Sequence, residues 1–84
     1  MRICFTKQSF YEYQHWANTD KRVLKKINSL IRAIEASPFD GEGKPEALKF
    51  GYSGYWSRRI THEHRLVYKV ENQTIYIAQC LKHY

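Results

Sequence analysis

The 84-residue chain is long enough for one domain with a single modest hydrophobic core, and we expect that domain to span residues 1–84. Hydrophobic residues make up 43% of the chain and aromatic residues 15%, which excludes an intrinsically disordered protein, while no apolar run approaches the roughly 20 residues that span a bilayer. The formal charge of +6 favours a polyanionic partner, nucleic acid above all, although an acidic protein would also be attracted.

A short strand and a helix are predicted at the amino-terminal end. Residues 1–5 alternate as a strand and lack the apolar stretch of a secretory signal, so we expect a cytoplasmic protein. Thr6 is a suitable N-cap for a helix over residues 7–18. One face of this helix carries Phe10, Tyr13 and Ala17.

The second predicted helix is strongly amphipathic. Thr19 and Asp20 cap its start, and it ends near Ala36 because the proline at position 38 disfavours a helical conformation of the residue before it. Its apolar stripe consists of Val23, Ile27, Leu30, Ile31 and Ile34. Four basic residues lie almost opposite, namely Lys21, Arg22, Lys25 and Lys26. The stripe predicts packing on a sheet, and the basic face is either a solvated surface or a contact for ribosomal RNA.

Strands dominate the rest of the chain. Residues 38–45 contain two glycines and two prolines, which predicts a loop. Strands are predicted over residues 47–50, 55–60, 65–70 and 74–81, with turns between them. The last three strands should form an antiparallel meander. The order β-α-α-β-β-β-β predicts an α+β fold, with two amino-terminal helices packed on one face of a small twisted, mainly antiparallel sheet.

The cysteine and histidine positions predict neither a metal site nor a cofactor. Cys4 and Cys80 fall among apolar strand residues and in no CxxC pattern, so we expect two buried, reduced thiols. His62 and His64 share one face of a strand, but no third ligand is evident for a metal ion.

Arginines of the predicted meander point to an anion-binding surface. Alternation places Leu66, Tyr68 and Val70 on one face of their strand and Arg65, with Val67 and Lys69, on the other. The helices can cover only one face of the sheet, so the opposite face would hold Arg65 together with Arg59 or Arg58. The alternative is that these arginines pair with Glu63 and Glu71 across strands.

An acid, a histidine and clustered arginines suit RNA cleavage by the 2′-hydroxyl of the RNA itself. Glu46, in the loop before a strand, is the candidate general base. His83 is the candidate general acid, because imidazole titrates near neutral pH and the last strand would hold it at the sheet edge. Arg65 would bind two phosphate oxygens through its planar fork. Charge neutralisation and substrate holding would fall to Lys49, Arg59 and Tyr84. Otherwise, Glu46 is a solvated loop residue and His83 is inert.

Four segments of the chain resemble the YoeB toxins, a branch of the RelE/ParE superfamily of bacterial toxin–antitoxin systems. They are Pro38-Phe39-x-Gly41-x-Gly43-Lys44-Pro45-Glu46-x-Leu48-Lys49, Gly54-x-Trp56-Ser57-Arg58-Arg59-Ile60, Glu63-His64-Arg65-Leu66-Val67-Tyr68 and Cys80-x-x-His83-Tyr84. The resemblance covers essentially the whole chain. It implies a RelE-like microbial-RNase fold and an endoribonuclease that cuts messenger RNA in the A site of the 70S ribosome, which stops translation.

The resemblance also implies partners and residue roles. The products would carry a 2′,3′-cyclic or 3′-phosphate and a 5′-hydroxyl. The partner would be a YefM-like antitoxin whose acidic and apolar carboxyl-terminal segment wraps the toxin, and a homodimer is compatible with the family. By motif match, the base falls on Glu46, the acid on His83 and the phosphate-stabilising arginine on Arg65. The supporting residues are Lys49, Arg59 and Tyr84.

Two other functions compete with this interpretation. Related toxins without the nuclease residues act by binding a protein target such as DNA gyrase, and Glu46 with the His83-Tyr84 pair argues against that class. A non-enzymatic RNA-binding module is the second alternative, for which the basic surface would matter and His83 would not. His62 has no assigned role.

Overall fold

The computed structural model describes residues 1–82, so the predicted site residues His83 and Tyr84 lie outside the described part of the chain. Its elements are β1 (Arg2–Phe5), α1 (Lys7–Thr19), α2 (Lys21–Ala36), β2 (Glu46–Ala47), a 3₁₀ helix (Phe50–Tyr52), β3 (Trp56–Arg59), β4 (Arg65–Glu71) and β5 (Thr74–Gln79). One five-stranded sheet has the order β1-β5-β4-β3-β2. The α+β prediction is confirmed.

The sheet is mixed, with one parallel pair at its edge. Strands β3, β4 and β5 pair antiparallel in sequence order, which confirms the predicted meander. Strand β2 pairs antiparallel with β3, and β1 pairs parallel with β5. The two helices separate β1 from the other strands in sequence. They cover one face of the sheet that β1 forms with those strands.

Both helices begin where the sequence predicts, because their caps are local. The Thr6 hydroxyl accepts a hydrogen bond from the Ser9 N–H at 2.9 Å, and the Ser9 hydroxyl accepts one from the Thr6 N–H at 2.9 Å, which forms a reciprocal capping box. The Asp20 carboxylate accepts from the N–H groups of Arg22 and Val23. These caps satisfy backbone donors that have no partner within the helix.

The core lies between α2 and the central strands. The predicted apolar stripe of α2 is buried throughout, as are the facing sheet residues Leu66, Tyr68, Ile75 and Ile77. Complete burial of one such aliphatic side chain stabilises the folded state by about 1.5–3 kcal/mol relative to exposure. The amphipathic pattern of α2 therefore predicted its packing correctly.

Helix α1 packs through a more polar face than the one indicated by its aromatic residues. Phe10 is exposed, whereas Ser9, Glu12 and Trp16 are buried against the sheet. The Ser9 hydroxyl donates to the carbonyl of Ile77 at 2.7 Å. Burial of polar groups is tolerated here because the backbone of the β5 region supplies their partners.

The predicted strand over residues 47–50 is wrong in its position. Strand pairing is limited to Glu46 and Ala47, so Glu46 belongs to a strand and not to a loop. Phe50 then adopts a left-handed φ of 60° and begins the 3₁₀ helix. A left-handed residue cannot continue a strand, so no strand could extend through residue 50.

A β-bulge ends the regular alternation of β5. Consecutive residues of β4 pair with Ile77 and with Gln79, so β5 carries Ala78 as an extra residue. After the bulge the side-chain phase changes, and Cys80 joins Ile77 in the core. The strand predicted over residues 74–81 is therefore too long, because β5 ends at Gln79.

The two cysteines differ in burial. Cys80 is buried as expected, but Cys4 is exposed because it lies in the edge strand β1, opposite Tyr76 on the face that the helices leave uncovered. Desolvation, assisted by the carboxylate of Glu12, raises the pKa of Cys80 to about 12. Within residues 1–82, no three His, Cys, Asp or Glu side chains converge as a metal site would require. Neither helix of that range has the length and apolar character needed to cross a membrane.

Candidate active site

The candidate site lies on the sheet face opposite the helices, which we call the open face. Arg59 of β3 and Arg65 of β4 are direct cross-strand partners, so their side chains emerge side by side on this face. Arg59 is exposed and Arg65 is half-buried. Two like charges in this arrangement repel each other, and a bound anion would relieve the repulsion.

Glu46 lies next to the arginine pair. It pairs with Ser57, which precedes Arg59 by two residues and therefore shares its face. A diagonal cross-strand relationship of this kind separates Cα atoms by about 7–8 Å, within reach of long side chains. Glu46 is exposed. An acid, a pair of cations and solvent access thus meet at one place on the open face.

The segment after Glu46 forms a cavity beside this group. Its volume is about 510 Å³, and Glu46, Lys49, Phe50 and Tyr52 are among its lining residues. The Phe50 side chain is 93% exposed. The cavity therefore combines a carboxylate, an ammonium group and aromatic rings, which are groups that bind phosphates and stack on nucleobases.

Arg58 does not belong to the anion-binding surface, which corrects one of the two predicted options. Its side chain is completely buried on the helical side of the sheet. The guanidinium donates to the carbonyl oxygens of Ser37 (2.6 Å), Asp40 (2.9 Å) and Glu42 (3.0 Å) and to the Tyr68 hydroxyl (3.1 Å). Arg58 therefore holds the loop that leads from α2 to β2.

That loop positions Glu46 through a close approach at Gly43. The carbonyl of Gly43 accepts from the Arg59 N–H at 2.7 Å, which joins the loop to β3. Gly43 has a φ of 87°, and a Cβ atom there would lie 2.8 Å from Leu30 Cδ2 and 3.0 Å from Arg58 Cβ. Only glycine fits this position without displacement of its neighbours.

The predicted pairing of arginines with Glu63 and Glu71 is not observed. Two ion pairs occur among residues 1–82: Lys26 Nζ to Glu42 Oε2 at 2.7 Å, and the amino terminus to Glu35 at 3.7 Å. Neither involves Arg59 or Arg65. The cations of the open face therefore have no carboxylate ion-pair partner within the described chain.

The basic face of α2 lies in the helical layer, away from the open face. Lys21, Arg22 and Lys25 are exposed. Lys26 instead contacts Glu42, and hydrogen bonds from Lys26 and Ser29 lower the pKa of this carboxyl. One of the four predicted basic residues thus forms an ion pair, and the other three are exposed.

Three residues with no predicted role hold the segment that leads to His83. Glu12 and Trp16 bind the backbone of Cys80, and His64 binds the backbone of Lys82. The i to i+4 spacing of Glu12 and Trp16 places both on one face of α1, which is a signal that the sequence contains. Their partners come from the other end of the chain, and no local pattern could identify them.

Comparison with known proteins gives one consistent family. A family model described as a YoeB-like toxin of bacterial type II toxin-antitoxin system matches residues 5–84. The chain is 51% identical to Toxin YoeB of Escherichia coli (strain K12) over 84 residues, which cover both proteins completely.

Solved structures similar to this chain indicate the same family. The YoeB/ParE toxin from Agrobacterium tumefaciens is 48% identical, with a TM-score of 0.96 and complete coverage of both chains. The YoeB dimer from Staphylococcus aureus is 47% identical with a TM-score of 0.95, and YoeB in the YoeB-YefM complex of that species is 46% identical with a TM-score of 0.94. Both cover this chain completely and 98% of the solved chain.

Proposed function

The chain belongs to the YoeB-like toxins of bacterial type II toxin–antitoxin systems, and from this premise we propose that it is a ribosome-dependent endoribonuclease that cuts messenger RNA in the ribosomal A site. The observation that carries the proposal is the open face of the sheet, where Glu46 lies beside Arg59 and Arg65. Cleavage there stops translation in the cytoplasm, where the ribosomes are.

The proposed reaction is an in-line transfer within the RNA. Glu46 accepts the proton of the 2′-hydroxyl, whose oxygen then bonds to the adjacent phosphorus. The bond from phosphorus to the 5′-oxygen breaks, and His83 donates a proton to that departing oxygen. The products are a 2′,3′-cyclic phosphate, or the 3′-phosphate after hydrolysis, and a 5′-hydroxyl. No metal ion or cofactor takes part.

Charge stabilisation falls to the arginine pair. The Arg65 guanidinium donates to two phosphate oxygens, and its partial burial limits the orientations it can adopt. Arg59 and Lys49 neutralise neighbouring charge, and Tyr84 stacks on a base or donates to the phosphate. Preorganised donors of this kind act on the charge that develops in the transition state.

The proposed partners follow from charge and family. The exposed residues Lys21, Arg22 and Lys25 contact ribosomal RNA, in keeping with the formal charge of +6. A YefM-like antitoxin neutralises the toxin, as the Staphylococcus aureus YoeB-YefM complex suggests, and the YoeB dimer of that species supports a homodimer as a free state.

The test is a cleavage assay on ribosomes that carry a defined messenger. Primer extension should map a cut within the A-site codon for the wild-type chain and no cut for Glu46→Ala or His83→Ala. A 2′-deoxyribose at the cut position should block the reaction, because the nucleophile is absent. Halted growth and inhibited gyrase with an intact messenger would instead assign the chain to the protein-binding toxins.

A further inference from the structure

We propose that His64 is a positioning residue for the proposed acid, His83, and that it acts by holding the backbone of Lys82. The inference rests on the proposed nuclease function and adds a residue to its machinery. His64 is half-buried in the turn before β4. Its ring contacts the Trp16 ring and accepts a hydrogen bond from the Lys82 N–H.

Both backbone groups of Lys82 are held by consecutive residues of the chain. The Lys82 N–H donates to His64 Nδ1 at 2.7 Å, and the Lys82 carbonyl accepts from the Arg65 N–H at 3.1 Å. Lys82 itself has a φ of 64°, a left-handed conformation that residues other than glycine rarely adopt. Such a conformation persists where the surroundings determine it, and these two hydrogen bonds do so.

Helix α1 holds the same segment two residues earlier. The Cys80 N–H donates to Glu12 Oε1 at 2.8 Å, and the Cys80 carbonyl accepts from Trp16 Nε1 at 2.8 Å. The Trp16 ring also contacts the His64 ring edge to face, with centroids 4.8 Å apart. Trp16 therefore orients the imidazole and holds the chain that the imidazole binds.

This arrangement joins the two halves of the proposed site. Lys82 is bonded directly to His83, so fixing Lys82 fixes the point from which the last two residues start. The backbone of Arg65 makes the second of these bonds, while its side chain lies on the open face as the proposed phosphate ligand. The chain that leads to the proposed acid and the backbone of the proposed phosphate ligand are thereby joined at Lys82, and in-line transfer requires the acid and the phosphate ligand to be held in a fixed geometry.

The role requires a particular state of the imidazole. A ring nitrogen that accepts a hydrogen bond carries no proton, so His64 must be neutral with its proton on Nε2. His64 therefore acts through Lys82 and not as a proton donor to the substrate. The competing explanation is that His64 only packs against Trp16.

Two substitutions separate hydrogen bonding from packing. His64→Phe retains a ring against Trp16 and removes the acceptor, whereas His64→Asn removes the ring and keeps an acceptor oxygen near the position of Nδ1. The matched control is His62→Ala, two residues earlier and exposed. Single-turnover cleavage on programmed ribosomes, measured over a range of toxin concentrations, gives a maximal rate and a half-saturating concentration for each variant.

We expect His64→Phe to lower the maximal rate about 10²-fold, the scale of a small misplacement of a reacting group, with little change in the half-saturating concentration. His64→Asn should recover most of the loss, and His62→Ala should match the wild type. Wild-type rates for His64→Phe, or an equal loss for His64→Asn, would overturn the inference while the nuclease function stands. A wild-type chain that leaves messenger intact overturns both.

A spectroscopic measurement tests the bond without relying on cleavage or on the folding of a variant. Long-range ¹H–¹⁵N spectra of the wild-type chain should show His64 as the Nε2–H tautomer, with an unprotonated Nδ1. A proton on Nδ1, or two tautomers in exchange, would remove the acceptor and with it the inference.

Discussion

Arg58 and Arg59 are consecutive in β3, yet Arg58 is completely buried and Arg59 lies exposed on the opposite face of the sheet. Arg58 binds the backbone of the loop between α2 and β2, while Arg59 lies opposite Arg65 on the open face. Strand alternation thus separates a structural cation from a proposed substrate ligand, and each can be removed alone.

Replacement of Arg58 should cost stability. Arg58→Ala removes four hydrogen bonds from a charged donor and opens a cavity at a completely buried position, so we expect the free energy of unfolding to fall by at least about 3 kcal/mol. Urea unfolding followed by tryptophan fluorescence measures this loss. Arg59→Ala is the control and should stay within about 0.5 kcal/mol of the wild type. Equal losses would mean that the burial of Arg58 is not what stabilises the loop.

Replacement of Arg59 should cost activity. Arg59→Ala removes one of two adjacent cations from the open face, and loss of one preorganised donor typically slows a reaction about 10²–10³-fold. Single-turnover cleavage on programmed ribosomes measures the effect, with the thermal midpoint as the folding control. A rate within threefold of the wild type, roughly 0.7 kcal/mol in the barrier, would show that Arg59 does not face the phosphate.

The two thiols should react very differently. Cys4 is exposed, whereas Cys80 is buried and its pKa is raised to about 12, so it presents little thiolate near neutral pH. Iodoacetamide should therefore modify the native chain once, at Cys4, and modify Cys80 only after denaturant is added. Peptide mapping by mass spectrometry identifies the sites, and rapid labelling of Cys80 in the native state would contradict its placement in the core.

Local signals in the sequence were sufficient for the helices. The Thr6 and Asp20 caps act within four residues of themselves, and the stripe of α2 has a single period, so both helices and the buried face of α2 followed from short windows. The bounds and the side-chain phase of the strands depended instead on the neighbouring strands with which they pair. The bulge at Ala78 reverses the side-chain phase before Cys80, and it exists only through the register between β4 and β5.

The same distinction applies to the candidate site. Residue types at Glu46 and Arg65 suggested the proposed chemistry. The sequence left the choice between Arg58 and Arg59 on the open face undecided, and the pairing of β3 with β4 places Arg59 there. Glu12 and His64 were missed because their partners, Cys80 and Lys82, are separated from them by 68 and 18 residues. The burial of Glu12 is explained by the hydrogen bond that its carboxylate accepts from the Cys80 N–H.

Glu12 should be a structural acceptor. Glu12→Ala leaves the buried N–H of Cys80 without its partner, and the expected cost is about 1–3 kcal/mol in the free energy of unfolding. Glu12→Gln retains a carbonyl oxygen of nearly the same reach and should recover most of this loss. Chemical unfolding of the three proteins provides the comparison. If the glutamine variant is as unstable as the alanine variant, the charge matters rather than the hydrogen bond.

Gly43, in the loop that leads to Glu46, and Gly51, in the 3₁₀ helix after it, offer a matched pair of glycine substitutions. A Cβ at Gly43 would lie 2.8 Å from Leu30 Cδ2 and would require a left-handed alanine, whereas a Cβ at Gly51 meets nothing within 4 Å. Gly43→Ala should therefore lower the free energy of unfolding by about 1–3 kcal/mol, the usual cost of a residue held in an unfavourable backbone conformation. Gly51→Ala should leave it unchanged or raise it slightly, because alanine restricts the unfolded chain more than glycine does. Since Gly43 also accepts from the Arg59 N–H, Gly43→Ala should slow cleavage as well, and an unaltered rate in a destabilised variant would separate the loop's contribution to folding from its contribution to the site.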